Sequence, residues 1–303
     1  MLAKRKLIRN IDTATDPFII SINTALGTGA NIDLRTVLPN GYSYDFTVQF
    51  GDGGSYSYLG TTPSIDSNLS YIYSGGDGIY QLEFSGKVGG FSVNNGVEKL
   101  KVISIDQWGD VEFDFLSNGF NGCANLESTS GSGKIQLSSP TSLISFFANC
   151  TNLKTIDSDF LLDAGANVID VGAMFYNCYS LLELPDVSAQ ITITDFDFFA
   201  HNCYSLSNIP NDYLANNVAL TSCVNSFYGL RNPALPATIF NLAAINIITN
   251  FNGFLTATSA SYSATGTIQD IWNYATSATK TNAFSNQTAI TNYADIPNDW
   301  KGL

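Results

Sequence analysis

Histidine is almost missing from this sequence of 303 residues; the one copy is His201. Any Ser-His-Asp or Cys-His machinery would have to run through it. Positive charge is scarce as well. Lys and Arg number 13 against 26 acidic residues, for a net charge of -13. Phosphate backbones need a clustered positive field, so nucleic acid is not expected as a partner. No phosphate loop of the G-x-x-x-x-G-K type occurs, which argues against nucleotide chemistry. Long apolar runs are also absent: stretches such as Phe18 to Ile20 fall far short of the roughly 20 residues of a membrane-spanning helix, so no membrane insertion is expected. The basic start, Lys4, Arg5, Lys6 and Arg9, is followed by RNIDTATDP rather than by the apolar run of a signal peptide. No cysteine precedes Cys123, which disfavours a lipid anchor near the start.

What the chain does contain is a repeat. FNGCANL (120–126) returns as FANCTNL (147–153) and FYNCYSL (175–181). A fourth copy, HNCYSL, places Phe199 one residue early, so His201 reads as the extra residue of a one-residue bulge. FYGLRNP from Phe227, FNGFLTA from Phe251 and FSNQTAI from Phe284 continue the series, with Leu230 and Phe254 in place of cysteine. Spacings of about 24 to 33 residues mark stacked structural repeats. After the cysteine comes a short apolar strand, often closed by proline, as in LLELP at 181 and LSNIP at 206.

Three roles are open to cysteines placed this way. Zinc would need ligands at close spacing such as C-x2-C, whereas here they lie a repeat apart with only His201 to help. Disulfides between successive units are disfavoured by the odd count of five and by replacement with Leu and Phe. A buried thiol behaves as a small hydrophobe, and that role alone is interchangeable with Leu or Phe. Cys123, Cys150, Cys178 and Cys203 are therefore expected as a reduced, buried apolar ladder, with no metal and no other cofactor. Such an array cannot cover its own ends, and the IPNDW segment with Trp300 is expected to close the last unit.

The F-x-x-C-x-x-L-x-x-[IL]-P units resemble the BspA-like leucine-rich repeats over about residues 106–303. Residues 17–105 read as short β runs between Gly, Asn and Asp turns: PFIISINT, YSYDFTVQFGDGG, LSYIYSGGDGIYQLEFSGKV and EKLKVISI. Phe50, Gly51, Asp52 and Gly53, with Tyr73 and Tyr80 downstream, are similar to the PKD-type immunoglobulin-like domain. Glycine suits positive φ at this turn and Asp52 can bond its own turn, a structural role. The two resemblances imply a mainly β chain, an immunoglobulin-like β-sandwich followed by a leucine-rich-repeat solenoid with a C-terminal cap.

This domain order resembles bacterial surface proteins and appendages of tailed phages, and the final IWNYATSATKTNAFSNQTAITNYADIPNDWKGL favours the phage side. The resemblance implies a virion structural protein, a head fibre or tail appendage, that contacts a host-surface glycan or protein. By analogy it would be a homotrimer. The alternatives are a bacterial surface adhesin and, less favoured, a carbohydrate-active enzyme. Two carboxylates at a fixed separation would suffice for the last, but no carboxylate recurs in a setting that raises its pKa, so no catalytic residue is expected. Residues 1–16 form a basic arm whose Lys4, Arg5, Lys6 and Arg9 are the candidate virion anchor on capsid or tail proteins. Tyr179 and Tyr204, each following a ladder cysteine in CYSL, are the candidate receptor-binding pair, since neighbouring aromatic rings can pack on sugars or protein. Covering the repeat edges is their other reading.

Overall fold

The computed structural model describes residues 16–303 apart from 130–131, 134, 139–140, 159–160 and 162–167. The basic arm with Lys4, Arg5, Lys6 and Arg9 lies outside the described residues. The chain is mainly β, and its first seven strands are β1 (Phe18–Asn23), β2 (Asn31–Asp33), β3 (Tyr44–Gln49), β4 (Ser55–Gly60), β5 (Ser70–Ile72), β6 (Ile79–Val88) and β7 (Val102–Gly109). Five of them form an antiparallel sheet in the order β4-β3-β6-β1-β7, while β2 and β5 pair separately. Alternation sets the faces. In β3, Tyr44, Phe46 and Val48 are buried while Asp45 and Gln49 are exposed, as a period of two requires. Central β1 is bonded on both edges and reads FIISIN, with three successive buried residues.

The F-G-D-G turn closes β3 onto β4. Gly51 has φ +82, and a Cβ there would lie 2.7 Å from the Gln81 carbonyl oxygen, so backbone conformation and space both demand glycine. The Asp52 carboxylate accepts from Gly54 N–H and from the Tyr71 hydroxyl, each at about 3 Å. Tyr71 also stacks on Phe50 at 3.9 Å, a partner that the F-G-D-G pattern alone does not reveal.

The sheet does not stop at β7. The later strands are β8 (Glu112–Phe113), β9 (Ser128–Thr129), β10 (Ser132–Gly133), β11 (Gln136–Leu137), β12 (Thr141–Ser142), β13 (Thr155–Ile156) and β14 (Val168–Asp170). All of their pairings are parallel: β7 with β9 and β10, β9 with β13, β8 with β11, and β12 with β14. The boundary read at 105/106 thus falls inside β7, which carries antiparallel pairing on one side and parallel pairing on the other. Beyond β14 the parallel pairing continues as single bridges, such as Asp195 with Ser222 and Ser222 with Asn250. The expected apolar strands after each cysteine are therefore shorter than the sequence suggests. Prolines such as Pro185 and Pro210 remove the donor that a longer ladder would need.

Successive repeats, here called rungs, are held in register by backbone bonds at one position. Gly122 N–H donates to Ala148 O, Asn149 to Tyr176, Asn177 to His201, Asn202 to Tyr228, Gly229 to Thr256 and Ala257 to Ser285, all at 2.7–3.0 Å. Asn149, Asn177, Asn202 and Asn286 have φ near +60, and Gly122 and Gly229 are also left-handed. Few other residues accept that conformation, which explains the Asn or Gly before the ladder position in every rung but the sixth, where Ala257 stands and is not left-handed. The asparagines also bond one another: Asn149 Nδ2 donates to Asn121 Oδ1, Asn177 to Asn149 and Asn202 to Asn177, at 3.0–3.1 Å.

This register corrects the sequence reading twice. The fourth rung has no extra residue: His201 occupies the same place as Tyr176 and Tyr228, and Ala200 stands where Phe175 and Phe227 stand. Phe199 fills the adjacent inward place, shared with Phe146, Met174 and Phe254. In the sixth rung Phe254 is accordingly not the cysteine equivalent; Thr258, which is exposed, holds that place. Two neighbouring positions of each rung point into one core, so a large ring in either fills it, and an aromatic residue alone does not fix the register.

All five cysteines are free and buried. The thiols of Cys150, Cys178 and Cys203 donate to the carbonyls of Phe120, Phe147 and Phe175 one rung earlier, at 3.0–3.2 Å. Gln287 does the same for Leu255 from the equivalent place in the last rung. The ladder position therefore selects a buried side chain with one donor as well as an apolar one. Cys223 belongs to a different column, with Leu143, Val171, Phe196 and Phe251.

One aromatic core runs through both regions. Trp108 at the end of β7 is 1% exposed and packs on Phe18 of β1 at 5.8 Å and on Phe146 of the second rung at 6.1 Å. At the far end, Phe284 N–H donates to Trp300 O, and the buried Trp300 ring stacks on Phe284 at 5.9 Å. A four-residue helix, Asn298–Lys301, and the left-handed Gly302 finish the chain.

Candidate functional site

Each rung turns at the residue before its ladder position, flanked by one side chain two residues before the ladder position and another one residue after it; Ala148 and Thr256 are buried there. In the first two rungs these are Asn121 and Ala124, then Ala148 and Thr151. In the sixth and seventh they are Thr256 and Ser259, then Ser285 and Thr288. Only the three middle rungs are different. There the pairs are Tyr176 and Tyr179, His201 and Tyr204, and Tyr228 and Arg231.

The parallel register turns these pairs into two columns. Tyr179 and Tyr204 are brought together, with ring centroids 5.0 Å apart and planes within 5°. Arg231 continues the column, its guanidinium carbon 3.9 Å from the Tyr204 centroid and 5.0 Å from that of Tyr262. Tyr262 is placed by the turn Ala260–Tyr262, whose carbonyl accepts from Asn232 N–H at 3.1 Å. The second column stacks Tyr176 on His201 at 4.9 Å and His201 on Tyr228 at 4.7 Å. The inner ring faces are therefore covered by one another. Edges, hydroxyls and the guanidinium donors are what the columns offer outward. Tyr179 is 38% exposed; burial, then the neighbouring Tyr204 and Tyr176, raises its phenol pKa and keeps it a neutral donor.

Phe198 joins the second column, with its ring 5.6 Å from His201 and 6.4 Å from Tyr176. It is 37% exposed and its backbone is left-handed, with φ +57. Equivalent places in other rungs hold Asn118, Ser145, Ala173, Asn225 and Gly253. A bulky residue in that conformation costs of order 1–3 kcal/mol, and here it is not repaid by burial. Beside Tyr228 the same flank opens into a groove of about 450 Å³ lined by Asn225, Asn252, Thr281, Asn282 and Ser285, all uncharged.

Of these residues the sequence singled out only Tyr179 and Tyr204. Arg231 and Tyr228 escape because FYGLRNP is read for its core positions, Tyr176 because FYNCYSL is, and Phe198 lies outside the repeat motifs. Counting outward from the Asn or Gly before each ladder position would have found the first three.

Two titratable groups lie near the columns. His201 is half-buried between tyrosine rings, and burial lowers its pKa, with a hydrogen bond that the ring donates to the Asn225 backbone opposing. Asp195 is raised, first by burial and then by the charges of Asp197 and Asp170. This corrects the expectation that no carboxylate sits in such a setting: in-register stacking places Asp170 and Asp195 in adjacent rungs. Their oxygens are already engaged, Asp170 by Gly172 N–H and Asp195 by Asp197 N–H. Among the described residues no group of three or more His, Cys, Asp or Glu could hold a metal ion, and no helix is long and apolar enough to cross a membrane.

The chain matches no family model, no curated protein and no solved structure.

Proposed function

We propose that this chain is a phage virion structural protein, a head fibre or tail appendage, that presents the two columns to a host-surface glycan. In this reading residues 17–105 are a PKD-like immunoglobulin-like β-sandwich. Residues 106–303 are a BspA-like leucine-rich-repeat solenoid, and the arm bearing Lys4, Arg5, Lys6 and Arg9 docks on capsid or tail protein. The protein acts by binding and is not an enzyme; its assembly as a homotrimer belongs to the same proposal. One observation carries the binding role: at the two positions flanking the ladder residue, aromatic and cationic side chains occur in three consecutive rungs of seven, and Tyr262 extends the same cluster. A need to cover rung edges would recur in every rung. The exposed, left-handed Phe198 in the same place supports the reading, because strain kept without burial points to use rather than to packing.

Two measurements test the proposal. Mass spectrometry of purified particles should find the protein in the wild-type virion and lose it when the chain is truncated before Pro17. Normal incorporation of the truncated chain would remove the arm from the attachment. Replacing Tyr179 and Tyr204 together by alanine should weaken binding to host cells at least tenfold with a melting temperature close to wild type. Unchanged binding by a folded variant would reject the patch.

A further inference from the structure

Among the described cations, Arg231, Lys99 and Lys301 have no carboxylate partner; Lys99 donates to Asn95 Oδ1 and Lys301 lies buried over Tyr293, so of the two held by tyrosine rings Arg231 is the exposed one. Arg35, Lys87, Lys101, Lys154 and Lys280 each pair with a carboxylate. Arg231 has no carboxylate within 4.0 Å among the described residues, and its side chain donates no hydrogen bond to them, although the protein carries a net charge of -13. It is nevertheless held. Two tyrosine rings lie against the guanidinium, Tyr204 at 3.9 Å and Tyr262 at 5.0 Å, while the residue remains exposed. Ring faces fix the plane without using any N–H, because the attraction acts through the π cloud. The result is a planar fork of donors, immobilised in advance and aimed along its own edges toward solvent. Such a fork matches a carboxylate in bidentate fashion, and pre-organisation reduces what binding must spend on ordering the side chain.

We propose that Arg231 is the anion subsite of the patch and that its ligand is a carboxylate-bearing sugar of a surface polysaccharide. The neighbouring groups define the rest of the ligand. The hydroxyls of Tyr179 and Tyr204 and the exposed ring edges suit the hydroxyls and C–H faces of a pyranose. The protein carries a net charge of -13, so a densely anionic partner would be repelled overall, which favours a sparsely charged glycan over a polyanion. The inference rests on the glycan-binding reading and adds the chemical class of the ligand and the residue that chooses it.

The test uses the full chain and trigalacturonate, with the same trisaccharide after reduction of its carboxyl groups to alcohols as the neutral control. Titration calorimetry should show binding of trigalacturonate that weakens at least tenfold for the reduced sugar and falls as salt rises. Arg231→Gln should lose the preference for the acidic sugar while retaining the wild-type melting temperature. Arg231→Lys should keep the charge but lose several-fold in affinity, since an ammonium lacks the planar fork. Tyr262→Ala should weaken binding by removing one of the two rings that hold the guanidinium. Equal affinity for the two sugars, no binding of either, or an unaltered preference in Arg231→Gln would overturn the proposal. Host-cell binding by wild-type protein, measured in parallel, separates the outcomes: if it persists while trigalacturonate fails, the ligand class is wrong and the binding role stands.

Discussion

The antiparallel region and the stacked rungs bury polar groups in opposite ways. In the first, Lys101 is fully buried and meets Glu98 at 2.8 Å, while its ammonium also donates to the Asn31 carbonyl and side-chain oxygen. Glu98 in turn accepts from Asp33 N–H. That network occurs once and every member depends on the others. The rungs instead use neutral groups bonded to the preceding rung, asparagine amides to an asparagine side chain and thiols to a phenylalanine carbonyl. A unique network concentrates risk in one residue, whereas a repeated bond spreads it over the array.

The largest effect expected from this contrast is at Lys101. Lys101→Ala leaves Glu98 buried without its partner and should destabilise by about 3–5 kcal/mol, seen as a large drop in the denaturation midpoint. A loss under about 1 kcal/mol would place the pair in solvent and remove the contrast. Phe198→Asn should act in the reverse direction. Asparagine stands at the equivalent Asn118 and Asn225, so relief of the left-handed strain should stabilise by about 1–3 kcal/mol while host-cell binding declines. Destabilisation by that change would make Phe198 a packing residue. Cysteine replacements sharpen the comparison further. Cys150→Ala and Cys203→Ala should each cost roughly 1–2 kcal/mol, from one lost donor and a small apolar volume. Lying two rungs apart, they should combine additively to within about 0.5 kcal/mol.

The smallest effects are titrations. The folded pKa of His201 is lowered, so the native state binds fewer protons than the unfolded chain between that value and the ordinary value of about 6.5. Stability should therefore decline as pH falls through that window, and His201→Tyr, matching Tyr176 and Tyr228, should abolish the decline. Asp195 is raised, so the native state binds more protons and stability falls as pH rises from the ordinary carboxylate value through the folded one. Asp195→Asn, which copies Asn250 two places along the same column, should stabilise at neutral pH. That gain should vanish below about pH 4.

Much of the architecture was legible because its signals are backbone requirements. Gly51 in the F-G-D-G turn and the asparagines before Cys150, Cys178 and Cys203 report left-handed geometry that few residues satisfy. Burial of the cysteines followed from their exchange with Leu230. Register was less legible. Phe199 and Phe254 misled because two inward positions compete for one volume, and only the hydrogen bonds distinguish them. At the patch, Tyr179 and Tyr204 could be paired from CYSL alone, but the role of Arg231 depends on Tyr262, 31 residues downstream, and no local pattern announces that contact.

Hydrogen-bonded strands lie about 4.8 Å apart, and the ring spacing of 5.0 Å between Tyr179 and Tyr204 follows that interval. The rungs between Trp108 and the patch are therefore a ruler with fixed graduations. Duplicating or deleting one unit before Asn177 would shift the patch by one graduation relative to the antiparallel sheet and leave its chemistry untouched. Reach and recognition can thus diverge independently, the first by integer steps in gene length and the second by point changes at six outward side chains.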